Sequence, residues 1–140
     1  MQLGPQLKAV FFDIGGTLGS VSGADPVEFK PFASSASLLQ SMQQTLGLKV
    51  GVITNIPHDM TNADVRRMLE AAGLLSFMEA EAIVTSRDAK ADKPASEIYQ
   101  FAAKRIGLPV DECLYVGEDP NEVLGAQRAG MAGLLKPIPG

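Results

Sequence analysis

Short apolar runs alternate with amphipathic stretches along this chain, and each run stops at a polar or turn-forming residue. The run from Lys8 to Phe12 is β-branched and aromatic and ends at Asp13 and the pair Gly15, Gly16, which predicts a buried strand feeding a tight loop. Between Pro31 and Leu46, the apolar residues Leu38, Leu39, Met42 and Leu46 fall on one helical face that ends at Gly47. A second strand follows from Leu48 to Ile53 and runs into Thr54 and Asn55. Thr61 with Asp64 three positions on resembles a capping box, opening a helix that turns Val65, Met68, Leu69 and Ala72 inward and stops at Gly73.

The second half repeats the alternation. A third strand spans Ala82 to Thr85, and Lys93 with Pro94 opens a helix that aligns Ile98, Phe101, Ala102 and Ile106 before Gly107. Cys113 to Val116 is a fourth strand, Asn121 to Ala129 a short helix ending at Gly130, and Ala132 to Leu135 a fifth strand. Strands that alternate with helices need crossover connections. The expected fold is therefore α/β, with a mostly parallel five-stranded sheet and helices on both faces, in three layers. No repeat, low-complexity segment or linker divides the chain, so residues 1–140 read as one domain.

Composition narrows the class without naming a function. With 46% hydrophobic and 20% charged residues, the chain has the balance of a folded globular domain, not of a collagenous, disordered or disulfide-rich one. Twelve basic residues against 16 acidic ones give a net charge of -4, and the basic residues are scattered apart from Arg66 and Arg67. Nucleic-acid binding, which requires a basic patch, is not expected. The single cysteine, Cys113, lies among apolar neighbours and reads as a buried thiol in a reducing compartment. The N-terminal residues lack a signal-peptide pattern, and no apolar run is long enough to span a bilayer, so the expected location is the cytoplasm.

The chemistry sits at the ends of the strands. In an open parallel sheet, ligands bind beyond the carboxyl ends of the strands. Those ends carry Asp13, then Thr54 and Asn55, then Glu118 and Asp119, with Lys93 placed to reach the same crevice. A carboxylate, a hydroxyl, an ammonium and an acidic cluster form a coherent set for phosphoryl transfer. The hydroxyl and ammonium hold phosphate oxygens, and the acids hold a divalent metal that offsets charge repulsion.

These strings resemble the motifs of the haloacid dehalogenase superfamily. Residues 11–18, Phe-Phe-Asp-Ile-Gly-Gly-Thr-Leu, are similar to its D-x-D-G-T-[LV] motif, and Val52 to Asn55 resemble its second motif. Lys93 and Pro94, followed by Glu97, Ile98 and Tyr99, match K-P-x-x-x-[IF]-[YF]. Residues 116–126 resemble G-D-x-x-x-D followed by V-x-G-A. The resemblance runs from residue 8 to residue 135 and implies a Rossmann-like core. It further implies that Asp13 is a nucleophile forming an aspartyl-phosphate, that Thr54, Asn55 and Lys93 bind the phosphoryl group, and that Mg²⁺ is the cofactor. The implied metal ligands are Asp13, the Gly15 carbonyl, Glu118 and Asp119, with Glu122 as an alternative.

Three departures qualify what the resemblance implies. Gly15 replaces the second Asp of the first motif, the residue that serves family phosphatases as acid and base; such a group is typically worth about 10²- to 10⁴-fold in rate. Glu118 replaces an Asp, adding a methylene while keeping a hard oxygen donor. Finally, 40 residues lie between Asp13 and Thr54 and 38 between Thr54 and Lys93, too few in either gap for a cap domain, with residues 19–30 left as a flap. A capless site favours a large, even macromolecular, phosphorylated substrate, or a homo-oligomer whose neighbour closes the crevice. His58 reads as an exposed loop residue, not as a replacement acid. Beside slow phosphatase activity on good leaving groups stand two alternatives: a catalytically degenerate binding or scaffold module, and transfer of the phosphoryl group to an acceptor other than water.

Overall fold

In a computed structural model that describes residues 6–23 and 28–136, β1 (Ala9–Phe12) lies at the centre of a five-stranded sheet. Its neighbours are β4 (Lys49–Thr54) and β6 (Cys113–Gly117), and β5 (Ile83–Thr85) and β7 (Ala132–Leu135) form the edges, giving the order β5-β4-β1-β6-β7. All four pairings are parallel. The chain fills one side of β1 and then crosses to the other, so the connections diverge around the end of β1. That divergence opens the crevice in which such sheets bind ligands.

Period-two alternation along the strands supplies both cores. Ala9 and Phe11 of β1 face α4 (Ser96–Arg105) and α5 (Pro120–Arg128), in a cluster that includes Ile98, Ala102, Val123 and Ala126. Val10 and Phe12 face the opposite layer, where α1 (Ser35–Gln40) contributes Leu39 and α2 (Asn62–Ala71) contributes Val65 and Leu69. Because β1, β4, β5 and β6 are covered on both faces, their residues are largely apolar rather than alternating with polar ones, whereas the edge strand β7 is partly exposed. The result is the expected three-layer Rossmann-like α/β core. Among the described residues neither interval between the candidate motifs carries a cap domain, and no helix is long and apolar enough to cross a membrane.

The predicted flap is an antiparallel hairpin of β2 (Gly19–Ser22) and β3 (Glu28–Pro31). Two helix expectations need correction. The helix read from Pro31 begins at Ser35, and its last turn, Ser41–Thr45, is a π-helix closed by the Leu46 N–H on the Ser41 carbonyl at 3.0 Å. The wider turn rotates the following position out of the apolar stripe, leaving Leu46 63% exposed instead of buried. Lys93 and Pro94 do not open α4 directly. They occupy a turn closed by the Ala95 N–H on the Asp92 carbonyl at 2.8 Å, with the Lys93–Pro94 peptide in cis, and the helix starts at Ser96.

The capping box at Thr61 and Asp64 forms as predicted. A second one, between Thr85 and Asp88, starts the one-turn helix α3 (Ser86–Ala89), which the sequence reading did not anticipate.

Candidate active site

The end of β1 delivers Asp13 to the crevice, 16% exposed at its side chain and held in orientation through a single oxygen. Asp13 Oδ1 accepts the Ile14 N–H at 2.8 Å and the Lys93 ammonium at 2.8 Å, while Oδ2 has no hydrogen-bond partner among the described residues. The end of β4 places Thr54 in the same cleft, its hydroxyl making only a long 3.4 Å contact to the Asn55 carbonyl. Both hydroxyl and carboxylate therefore retain capacity for a ligand.

Lys93 is the hub. Its side chain is 1% exposed, and its Nζ lies 2.8 Å from Asp13 Oδ1, 2.9 Å from Glu122 Oε1 and 2.9 Å from the Tyr115 hydroxyl. Tyr115 accepts from Lys93 and donates to Glu122 Oε1 at 3.1 Å, closing the network. Burial first, and then the charges of Asp13 and Glu122, push the Tyr115 hydroxyl far above its usual range, so it stays protonated. Tyr99 supports it edge-on at 5.5 Å and donates to the Glu122 carbonyl at 2.6 Å. The backbone of Lys93 is also fixed: its N–H donates to Asn55 Oδ1 at 2.9 Å, and its carbonyl accepts from Asn55 Nδ2 at 3.1 Å.

Sequence reasoning anticipated Asp13, Thr54 and Lys93 in one place, and the structure brings them together on a single cleft wall. Other residues have tasks the sequence did not disclose. The Asn55 side chain fixes the Lys93 backbone, while the residue itself lines the cleft. Asp119 is the N-cap of α5, its Oδ1 accepting the Asn121 N–H at 2.8 Å. Glu122 pairs with Lys93. Tyr115 was missed altogether, because its position in an apolar strand resembles that of any core aromatic. His58 is exposed, as expected, and lines a neighbouring groove with Arg87 and Lys90.

The carboxylates test whether a divalent cation fits. Among the described residues no three acidic, His or Cys side chains converge as a metal cluster. A smaller set remains. The Glu118 carboxylate rests against Gly16, in space that a Cβ there would fill, and Gly16 has the positive φ of +77° that glycine tolerates. That closeness places the Glu118 carboxylate beside the loop bearing Asp13 and the Gly15 carbonyl, and the three would make an all-oxygen donor set suited to a hard cation. Charge points the same way, since one ammonium faces the two carboxylates of Asp13 and Glu122 before any phosphate enters.

A parallel sheet with a carboxylate, a hydroxyl and a buried ammonium at its carboxyl end defines a Rossmann-like α/β core with a polar crevice. Its sequence matches the profile of the haloacid dehalogenase-like hydrolases over residues 20–135, a range that starts just beyond the Asp13 loop. The chain belongs to that family. It is 32% identical over 111 residues to haloacid dehalogenase-like hydrolase domain-containing protein 3 of Danio rerio, covering 79% of this chain and 43% of that protein. It is 31% identical over 108 residues to a phosphoglycolate phosphatase of Caulobacter vibrioides, covering 77% of this chain and 43% of the phosphatase. The chain thus spans less than half the length of these relatives. An uncharacterized protein of Corynebacterium glutamicum shares the fold, with a TM-score of 0.67 at 24% identity over 94% of this chain and 85% of that one.

Proposed function

We propose that this chain hydrolyses phosphate monoesters or anhydrides by transferring the phosphoryl group to Asp13. The observation that carries the reading is the buried contact of the Lys93 ammonium with Asp13 Oδ1 at 2.8 Å, on the cleft wall that also presents Thr54. Lys93 and the Ile14 N–H hold Oδ1, which leaves Oδ2 to attack phosphorus as the P–O bond to the leaving group breaks. The Thr54 hydroxyl binds a non-bridging oxygen, and the charge of the nearby Lys93 ammonium offsets the negative charge that builds on the phosphoryl group. Water then attacks the aspartyl-phosphate, releasing phosphate and restoring Asp13.

Asp13, the Gly15 carbonyl and Glu118 would hold Mg²⁺, whose charge offsets repulsion between phosphate and carboxylates. Gly15 stands where the family pattern has its acid-base Asp: with no side chain it neither protonates the leaving oxygen nor activates water. Turnover is accordingly slow, and it favours esters whose leaving group departs without a proton. A panel of phosphate esters, assayed with Mg²⁺ for the wild type and Asp13→Asn, tests the proposal. Phosphate release that disappears in the variant supports it, whereas release that continues at the wild-type rate overturns it.

A further inference from the structure

Resting on the phosphoryl-transfer reading, we infer that the cleft selects monophosphates whose esterified group is apolar and aryl-sized over those bearing a second anion or many hydroxyls. The cleft encloses about 690 Å³, far more than a phosphoryl group occupies. Beyond Asp13, Thr54 and Lys93, its wall is built largely from Val21, Ile56, Pro57, Met60 and Met68. Val21 comes from the flap hairpin, and its Cγ2 lies 3.5 Å from where a Cβ of residue 15 would sit. The position that carries an acid in the family motif is therefore lined by a methyl group. Two methionines suit a planar apolar guest, because unbranched thioethers adapt their shape and favour aromatic contacts.

The polar inventory argues against the other substrate classes. Lys93 is the one cation among the described residues lining the cleft, and Asp13 and Glu122 already engage it. The Asn55 amide, the nearest carboxamide, has both ends committed to the Lys93 backbone. Asp59 lines the cleft as well and repels a second anion. Arg87 and Lys90 line not this cleft but the adjoining groove, which shares Ile56 and Pro57 with it, and Arg87 there donates to the His58 carbonyl at 2.8 Å. Among the described residues that line this cleft, a carboxylate on the substrate thus meets no free cation, and a polyol finds few partners.

Non-hydrolysable phosphonates test the selection without requiring turnover. Titration calorimetry with Mg²⁺ present would compare methylphosphonate, phenylphosphonate and phosphonopropionate on the wild-type chain. Burying about half of an aryl ring is worth a factor of about ten to a hundred, so phenylphosphonate is expected to bind at least about tenfold more tightly than methylphosphonate. Phosphonopropionate is expected to bind no more tightly than methylphosphonate. Val21→Ser, on the exposed hairpin, and Met68→Ser should each narrow the phenyl-to-methyl ratio, and methylphosphonate binding reports that the phosphate end is still folded.

Equal affinity for the phenyl and methyl compounds, or tightest binding of phosphonopropionate, overturns the selection while leaving the phosphate site intact. Failure of all three to bind removes the phosphate reading and this inference with it.

Discussion

Placing a carboxylate at residue 15 should convert a slow hydrolase into a faster one, and the structure sets the terms. In Gly15→Asp the nearest heavy atoms to the new Cβ are Val21 Cγ2 at 3.5 Å and Val21 Cβ at 3.9 Å, ordinary van der Waals contacts. Unlike Gly16, Gly15 is not among the positive-φ glycines, so a side chain there carries no backbone strain. The folding cost should accordingly stay within about 0.5 kcal/mol, as for other partly exposed substitutions. The gain is set by proton transfer. A positioned acid-base contributes about 10²- to 10⁴-fold, equivalent to about 3–5 kcal/mol of barrier.

That gain should depend on the ester. Alkoxide leaving groups need a proton as they depart, and nitrophenolate does not, so the increase in kcat/KM should be large for alkyl phosphates and small for nitrophenyl phosphate. Steady-state kinetics across a leaving-group series, beside a denaturant melt of each protein, measures both quantities. If the variant folds, binds Mg²⁺ and shows the same factor for every ester, or no increase at all, then the missing acid is not what limits this site.

Three further outcomes follow from particular contacts. Lys93→Met strands the Asp13 and Glu122 carboxylates around a side chain that is 1% exposed, and urea denaturation at neutral pH should show a loss of about 3–5 kcal/mol along with phosphate turnover. Asp88 caps α3 and accepts from Asn62 at 2.7 Å, so Asp88→Ala should cost about 1–2 kcal/mol by the same measurement. Burial alone would push the Asp88 carboxyl up, but hydrogen bonds from Asn62 and Thr85 and the Arg105 charge outweigh it and hold the group below its usual 3.8. Its contribution is thus fully present above pH 3.8 and disappears as pH falls through the lowered value, so the wild type and Asp88→Ala should converge in stability in acid. Burial, helped by Glu112 and Asp111, pushes the Cys113 thiol from 9.0 up to about 11, so at neutral pH alkylation should run at least about a hundredfold slower in the folded chain than in urea.

What the sequence disclosed, and what it did not, divides along a physical line. Asp13, Thr54 and Lys93 were legible because they interrupt apolar runs at predicted element boundaries, where a polar residue needs a reason to be. The parallel sheet was legible for a related reason: strands buried on both faces read as unbroken apolar runs. Contacts that depend on tertiary placement were not. Asn55 reaches the Lys93 backbone across 38 positions, and Tyr115 presents its hydroxyl to Lys93 and Glu122 from a strand whose pattern marks it only as core. Leu46 misled because one π-turn shifts the helical register, which a 3.6-residue period does not reveal. The T-x-x-D signal for α3 was present at Thr85 and Asp88 but had only one turn of helix behind it.

The central claim is that Asp13 receives the phosphoryl group, and rapid acid quench answers it directly. The chain would be mixed with Mg²⁺ and nitrophenyl phosphate, quenched within the first turnovers, digested, and read by mass spectrometry. The account predicts a phosphoryl adduct on the peptide containing Asp13 that forms in the wild type, persists because Gly15 cannot activate water, and is absent in Asp13→Asn. Nitrophenol release at an undiminished rate in Asp13→Asn, with no adduct on that peptide in the wild type, would contradict it.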